Sequence, residues 1–128
     1  MTVRPRPTSP HLQIYHFAIT MTMSIVHRIT GGALYVGMAL LAIWLAAAAI
    51  GPQALGAVNV LYGSWFGMLV LFGYSWALIH HMLGGFRHFV WDFGHGFEAG
   101  TREGLAWANL IGSVVLTLLV WTIFVWVG

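Results

Sequence analysis

The chain is built around long apolar stretches that carry no charge. No Asp, Glu, Lys or Arg occurs between Arg28 and Arg87, and one membrane-crossing helix needs about 20 apolar residues. This stretch is therefore long enough for two spans. The segment 51–53, Gly-Pro-Gln, marks the break between them, because glycine and proline end helices. With a third apolar run near the C-terminus, the pattern predicts an all-α, integral membrane bundle with three spans, at about 21–50, 60–88 and 106–127.

Charged residues indicate how such a bundle would sit in a membrane. All of them lie in the N-terminal arm, in the segment 89–105, or at the helix ends beside these two segments. With three spans, the arm (1–20) and the 89–105 loop lie on one side of the transmembrane domain (21–128). Arginines mark that side as cytoplasmic in a bacterial inner membrane, or as matrix in a mitochondrial inner membrane. The short 51–59 loop then lies on the opposite side.

Composition agrees with this class and excludes others. Hydrophobic residues make up 59% of the chain and charged residues 6%, whereas a soluble domain has about 25% charged residues. The absence of cysteine excludes disulfides and thiolate chemistry within this chain. A net charge of +2 does not indicate binding to nucleic acid. Seven histidines beside five basic and three acidic residues favour haem, metal or proton chemistry in a membrane.

A first polar cluster opens the first span. Ser24 and Arg28 are four residues apart and Ser24 and His27 three apart, so all three share one helix face, which Gly31 continues. Arg28 could form a two-pronged hydrogen bond with a carboxylate such as a haem propionate, and Ser24 could donate to a quinone oxygen. The alternative is an arginine that marks the interface and extends toward water.

A second cluster closes the second span. His81 lies six residues before Arg87, or roughly 9 Å deeper at 1.5 Å per residue, where a neutral imidazole would suit a haem iron. Gly84 and Gly85 leave space for a porphyrin edge, and Arg87 and His88 lie where propionates would reach water. The alternative for His81 is a bundle histidine that bonds a neighbouring helix. The adjacent His80 competes for the role of ligand but points about 100° away.

Three segments resemble the cytochrome b membrane-anchor subunit of succinate dehydrogenase. Residues 6–15 read RPTSPHLQIY, similar to R-P-x-S-P-H-x-x-I-Y. Residues 24–31 read SIVHRITG, similar to S-x-x-H-R-x-[ST]-G. Residues 81–94 read HMLGGFRHFVWDFG, similar to H-x-x-x-G-x-R-H-x-x-W-D-x-G. The order, spacing and three-span layout fit that family from residue 6 to the C-terminus.

The resemblance implies specific roles. His81 matches the axial histidine of haem b, and so the iron ligand, while a separate, smaller anchor subunit would supply the second axial histidine. Ser24 and Arg28 match positions of the quinone site. His27, Arg28 and His88 are expected near the haem propionates.

The resemblance also implies a larger assembly. The chain would be half of a heterodimeric membrane anchor that carries an iron–sulfur subunit and a flavoprotein subunit. Electrons from succinate would pass through the iron–sulfur subunit to ubiquinone, with no chemistry on succinate in this chain. Two alternatives remain: a fumarate reductase anchor that works in the reverse direction, and a haem-free structural membrane subunit. The motifs do not assign roles to four histidines: His11, His16, His80 and His95.

Overall fold

The computed structural model describes residues 17–127, which form four α-helices joined by short connections. The helices are α1 (Ile19–Ile50), α2 (Pro52–Tyr62), α3 (Trp65–Asp92) and α4 (Ala99–Val127). Most of the arm and the whole motif at 6–15, with His11 and His16, lie outside the described residues.

The three long helices have the length and composition of membrane spans. They contain 32, 28 and 29 residues, or roughly 42–48 Å at 1.5 Å per residue, which exceeds the bilayer's hydrocarbon core of about 30 Å. Each includes a strongly apolar window with no more than two charged residues. The prediction of an all-α bundle with three spans is thereby confirmed.

The segment predicted to be the 51–59 loop is mostly helical instead. Gly51 turns the chain with φ 137°, a region that favours glycine. Pro52 follows as the first residue of α2, a position where its fixed φ is compatible with a helix and its missing N–H leaves no bond unmade. Gly51 and Pro52 therefore make a single sharp break, after which the chain enters a new helix.

Two side-chain hydrogen bonds hold α2 against α1. The indole N–H of Trp44 donates to Asn59 Oδ1 at 3.0 Å, and the hydroxyl of Tyr62 donates to the carbonyl of Leu40 at 2.7 Å. The following span consequently begins at Trp65 rather than at 60, behind Ser64, whose Oγ accepts from a first-turn backbone N–H.

On the arginine-rich side, the helices extend further than their apolar runs. α3 continues to Asp92 and α4 already begins at Ala99, so the irregular connection covers only 93–98. Hydropathy detects where the lipid ends, but the backbone hydrogen bonds of a helix can continue into the headgroup layer. Gly94 and Gly96, both with φ 78°, make the turn between α3 and α4.

Few of the described side chains are buried inside the bundle, and most of these are small or polar. α3 is central and packs against both α1 and α4. The buried side chains are mostly small or able to form hydrogen bonds, whereas most of the large apolar side chains are exposed. Close helix packing through small residues with internal hydrogen bonds is typical of membrane bundles, where lipid solvates the apolar exterior.

Candidate functional site

His81 lies on α3 with its ring against α1. Its Nδ1 is 3.1 Å from the carbonyl oxygen of His27 and 3.3 Å from Thr30 Oγ1. The Thr30 hydroxyl donates to the same carbonyl at 3.0 Å, so its oxygen is free to accept. Both contacts therefore require the ring hydrogen on Nδ1. Nε2 then carries the lone pair, and it has no hydrogen bond to any residue in the described range.

The imidazoles of His27 and His81 form a parallel stack between α1 and α3. Their centroids are 3.9 Å apart with an angle of 5° between the planes. Two glycines allow this close approach. A Cβ at Gly31 would come within 3.1 Å of His81 Cε1, and a Cβ at Gly84 would collide with His27 Nδ1. Small residues on both helices are thus needed to hold the stack.

The two paired glycines of α3 have different surroundings. The space expected beside Gly84 is filled by His27, whereas a Cβ built at Gly85 meets no atom of the described residues within 4 Å beyond its own stretch of helix. Gly85 is one helical turn after His81 and lies on its face. The open space predicted for a planar group is therefore at Gly85 rather than at Gly84.

A third histidine, His88, lies beside the stacked pair. The exposed ring of His88 lies 5.3 Å from that of His27 and makes an edge contact with Trp91 at 5.1 Å. The structure thus brings together His27, His81 and His88. Nδ1 of His27 is buried and lacks a hydrogen-bond partner, so this cluster retains unused hydrogen-bonding capacity.

His80, the competitor of His81, faces α4 rather than α1. Its side chain is 0% exposed. Nδ1 donates to Ser113 Oγ at 3.1 Å, and Nε2 accepts from Asn109 Nδ2 at 3.4 Å. The Ser113 hydroxyl in turn donates to the Leu110 carbonyl at 2.8 Å. With both nitrogens bonded to α4, His80 fits the alternative role of a bundle histidine.

Ser24 and Arg28 lie on an exposed strip of α1. They are one turn apart, and neither makes a side-chain hydrogen bond within residues 17–127. His27 lies at the border between this strip and the buried face. An exposed arginine and serine beside a membrane-embedded cluster remain free to bind a ligand or a partner chain.

Arg87 faces a different direction from the histidine cluster. It lies six residues after His81, which places it about 120° away around the helix, on the side of His80. It is buried and lines a cavity between α3 and α4. The expectation that Arg87 lies at the level where propionates would reach water stays a prediction; its side chain faces α4, away from the histidine cluster, at a depth similar to that of His88.

The donor set on the His81 face fits a haem. A histidine ligand commonly donates its second N–H to a backbone carbonyl, which fixes the ring and leaves the other nitrogen for the metal. The Nδ1 contacts of His81 have this form, and Gly85 leaves the neighbouring surface open. Within residues 17–127 no group of three or more potential metal ligands gathers around one point.

Several contributors to the site could not be identified from the sequence. Thr30 orients His81, and Asn109 and Ser113 bind His80. Thr30 occupies the [ST] position of the second motif, but the motif does not show that Thr30 contacts His81. Asn109 and Ser113 are four apart on the third span, a polar pair in an apolar run. That spacing indicates a shared buried face but not its partner.

Comparison with known proteins places this arrangement in a family. Residues 2–120 match the family described as succinate dehydrogenase/fumarate reductase transmembrane subunit. The chain is 41% identical to the succinate dehydrogenase cytochrome b556 subunit of Paracoccus denitrificans, over 93% of this chain and 92% of that protein.

Similarity extends to other bacteria and to mitochondria. The cytochrome b556 subunit of Rickettsia felis is 37% identical over 91% of this chain and 90% of that protein. The mitochondrial cytochrome b560 subunit of Sus scrofa is 35% identical over 71% of this chain and 55% of that protein. With a match over nearly its whole length and three apolar spans, the chain belongs to the family of succinate dehydrogenase/fumarate reductase transmembrane subunits.

Proposed function

We propose that this chain is the cytochrome b anchor subunit of a succinate dehydrogenase and holds haem b through Nε2 of His81. The observation that carries the proposal is the hydrogen bonding of His81. Its Nδ1–H is held by the His27 carbonyl and Thr30, and Nε2 has no partner in the described chain. The relatives named as succinate dehydrogenase cytochromes support the same assignment.

A second chain is needed to complete such a site. Haem b with two axial histidines transfers single electrons without binding substrate at the iron. With His80 bonded to α4 and His27 stacked flat on His81, no second imidazole of the described chain is presented opposite His81. The smaller anchor subunit is therefore assigned the second ligand, and the surface around Gly85 faces it.

Around the haem, this chain supplies polar groups for the propionates. His88 and Arg28 are exposed near the arginine-rich end of the bundle, and His27 lies beside His88. All three can donate hydrogen bonds to carboxylates. Their role is to orient the haem and to balance its charge, not to react.

We assign ubiquinone reduction to the exposed strip of Ser24 and Arg28. The serine hydroxyl would donate to one quinone oxygen. The guanidinium would stabilise negative charge that develops on the quinone, as fixed donors do in sites that exclude water. The iron–sulfur subunit would dock on this side of the membrane, where it also carries the flavoprotein subunit that oxidises succinate.

The haem assignment is tested by exchanging each of the two adjacent histidines for glutamine. His81→Gln should change the six-coordinate, low-spin spectrum of the assembled complex, because one nitrogen ligand of the iron is removed. His80→Gln is the matched control, since its amide can still bond Ser113 and Asn109. Reduced-minus-oxidised absorption and electron paramagnetic resonance spectra give the readout, with flavin content as the measure of assembly.

Three results would contradict the assignment. The first is a His81→Gln complex with an unchanged spectrum. The second is a loss of low-spin signal on His80→Gln alone. The third is a wild-type complex that contains flavin but no haem, which would leave the structural-anchor alternative.

The quinone assignment makes a separate prediction. Arg28→Leu should lower succinate–ubiquinone reductase activity by about ten-fold or more, on the scale of losing one charged hydrogen bond. Succinate oxidation with a dye that takes electrons upstream should survive. Arg102→Leu, an exposed arginine at the start of α4, is the control. Equal loss of both activities in Arg28→Leu would count against a quinone role.

A further inference from the structure

Arg87 is a buried cation without a counter-ion in the described chain. Its side chain is 5% exposed, and its Nε has no hydrogen-bond partner. No acidic side chain of residues 17–127 forms an ion pair with it, and its one aromatic contact is with the ring of Trp91 at 5.1 Å. A buried charge is strongly destabilising unless an opposite charge and hydrogen bonds compensate for it.

Arg87 lines a cavity of about 190 Å³ between α3 and α4. The same cavity is lined by Asn109, which is also 5% exposed and whose Oδ1 is a second buried atom without a partner. The remaining lining is apolar: Leu83, Phe86, Val90, Leu105 and Ala108. Both polar residues therefore line one largely apolar space, and each has a buried atom without a hydrogen-bond partner.

This cavity opens on the outer surface of the bundle, away from the histidine cluster. Phe86, on its rim, is 56% exposed, and Ala108 is exposed as well. Because Arg87 points about 120° away from His81, a propionate of a haem held by His81 does not account for it. Water could satisfy the hydrogen bonds of the cavity but would leave the positive charge without a counter-ion.

We propose that this cavity, the Arg87–Asn109 groove, binds the headgroup of an acidic glycerophospholipid. The phosphodiester accepts hydrogen bonds from the guanidinium of Arg87 and balances its charge. An acyl chain lies along the apolar side chains that line the groove. Arg87 is five residues from the end of α3, or roughly 8 Å, and one turn before Trp91, which is a suitable depth for a phosphate.

The assembled complex provides the test, after its own lipid has been removed in detergent. Phosphatidylglycerol and phosphatidylcholine with identical acyl chains are titrated separately while thermal unfolding and bound lipid, by native mass spectrometry, are followed. Wild type should bind and be stabilised by phosphatidylglycerol only. Arg87→Gln should weaken that binding about ten-fold or more, on the scale of losing a charged hydrogen bond. Arg102→Gln should bind as wild type does.

A second variant keeps the test informative if Arg87→Gln fails to assemble. Asn109→Asp supplies a carboxylate within the same cavity but removes the N–H that donates to His80; the complex that assembles should lose its preference for phosphatidylglycerol. Equal binding of both lipids by wild type, or an unchanged preference in Asn109→Asp, would overturn the proposal. So would a structure of the complex that shows a partner's carboxylate or water alone at Arg87. None of these readouts depends on haem.

Discussion

At the residue scale, the site depends on which side of α3 each polar residue faces. The sequence placed Ser24, His27 and Arg28 on one face near the start of α1, because spacing within a helix determines the depth and mutual angles of its side chains. It could not decide between His80 and His81, since both are imidazoles at nearly the same depth. That choice depends on which helix packs against each face, and in the structure Asn109 and Ser113 of α4 bond both ring nitrogens of His80.

Gly84 provides a sharp prediction about the histidine stack. In Gly84→Ala, the new methyl group would occupy the position of His27 Nδ1 and displace the ring. Overpacking of this kind costs about 1–3 kcal/mol, so the complex should unfold at lower temperature and its haem spectrum should shift. Gly73→Ala on the same helix, with nothing within 4 Å of its Cβ, should leave both properties unchanged. A normal spectrum in Gly84→Ala would show that the stack does not shape the haem site.

At the element scale, α3 packs against α1 and α4 through two different faces. His81 and Gly84 face α1, whereas His80 and Arg87 face α4. The existence and type of the three long helices followed from apolar length. Their ends did not, because Pro52 starts a helix where a loop was expected and α4 begins seven residues before its apolar run. Hydropathy reports burial in lipid, while helix ends depend on caps and glycine turns.

The contact between α3 and α4 should depend on His80. His80→Leu leaves Asn109 and Ser113 without their partner inside the bundle, and an unsatisfied buried polar group costs about 1–3 kcal/mol. The melting temperature of the purified complex should fall while the low-spin haem signal persists in the folded fraction. His80→Gln should restore part of the stability. If His80→Leu were as stable as wild type, the hydrogen-bonded network would not hold these helices together.

At the scale of the whole molecule, the chain is an incomplete membrane unit. Its interior is small, and many of its large apolar side chains face outward, where lipid or partner chains cover them. The exposed polar groups of Ser24, Arg28 and His88 are concentrated at one end. The pattern of hydrophobic and polar residues in one sequence does not identify the partner chains. It indicates that a surface is exposed but not what covers that surface.

Orientation in the membrane can be measured directly, because the chain contains no cysteine. A single cysteine in place of Glu98, in the connection between α3 and α4, should react with a membrane-impermeant maleimide only from the cytoplasmic side. A cysteine in place of Gln53, at the start of α2, should react only from the opposite side. Both expectations follow from the arginines near the first position. The reverse pattern of labelling would invert the proposed topology.

The most direct test is an electron cryo-microscopy structure of the native complex at a resolution that shows side chains. The account predicts planar haem density joined to Nε2 of His81, with Nδ1 on the His27 carbonyl and a histidine of a second chain on the opposite side of the iron. Iron bound by His80, or a protein or lipid group at Nε2 of His81, would contradict it.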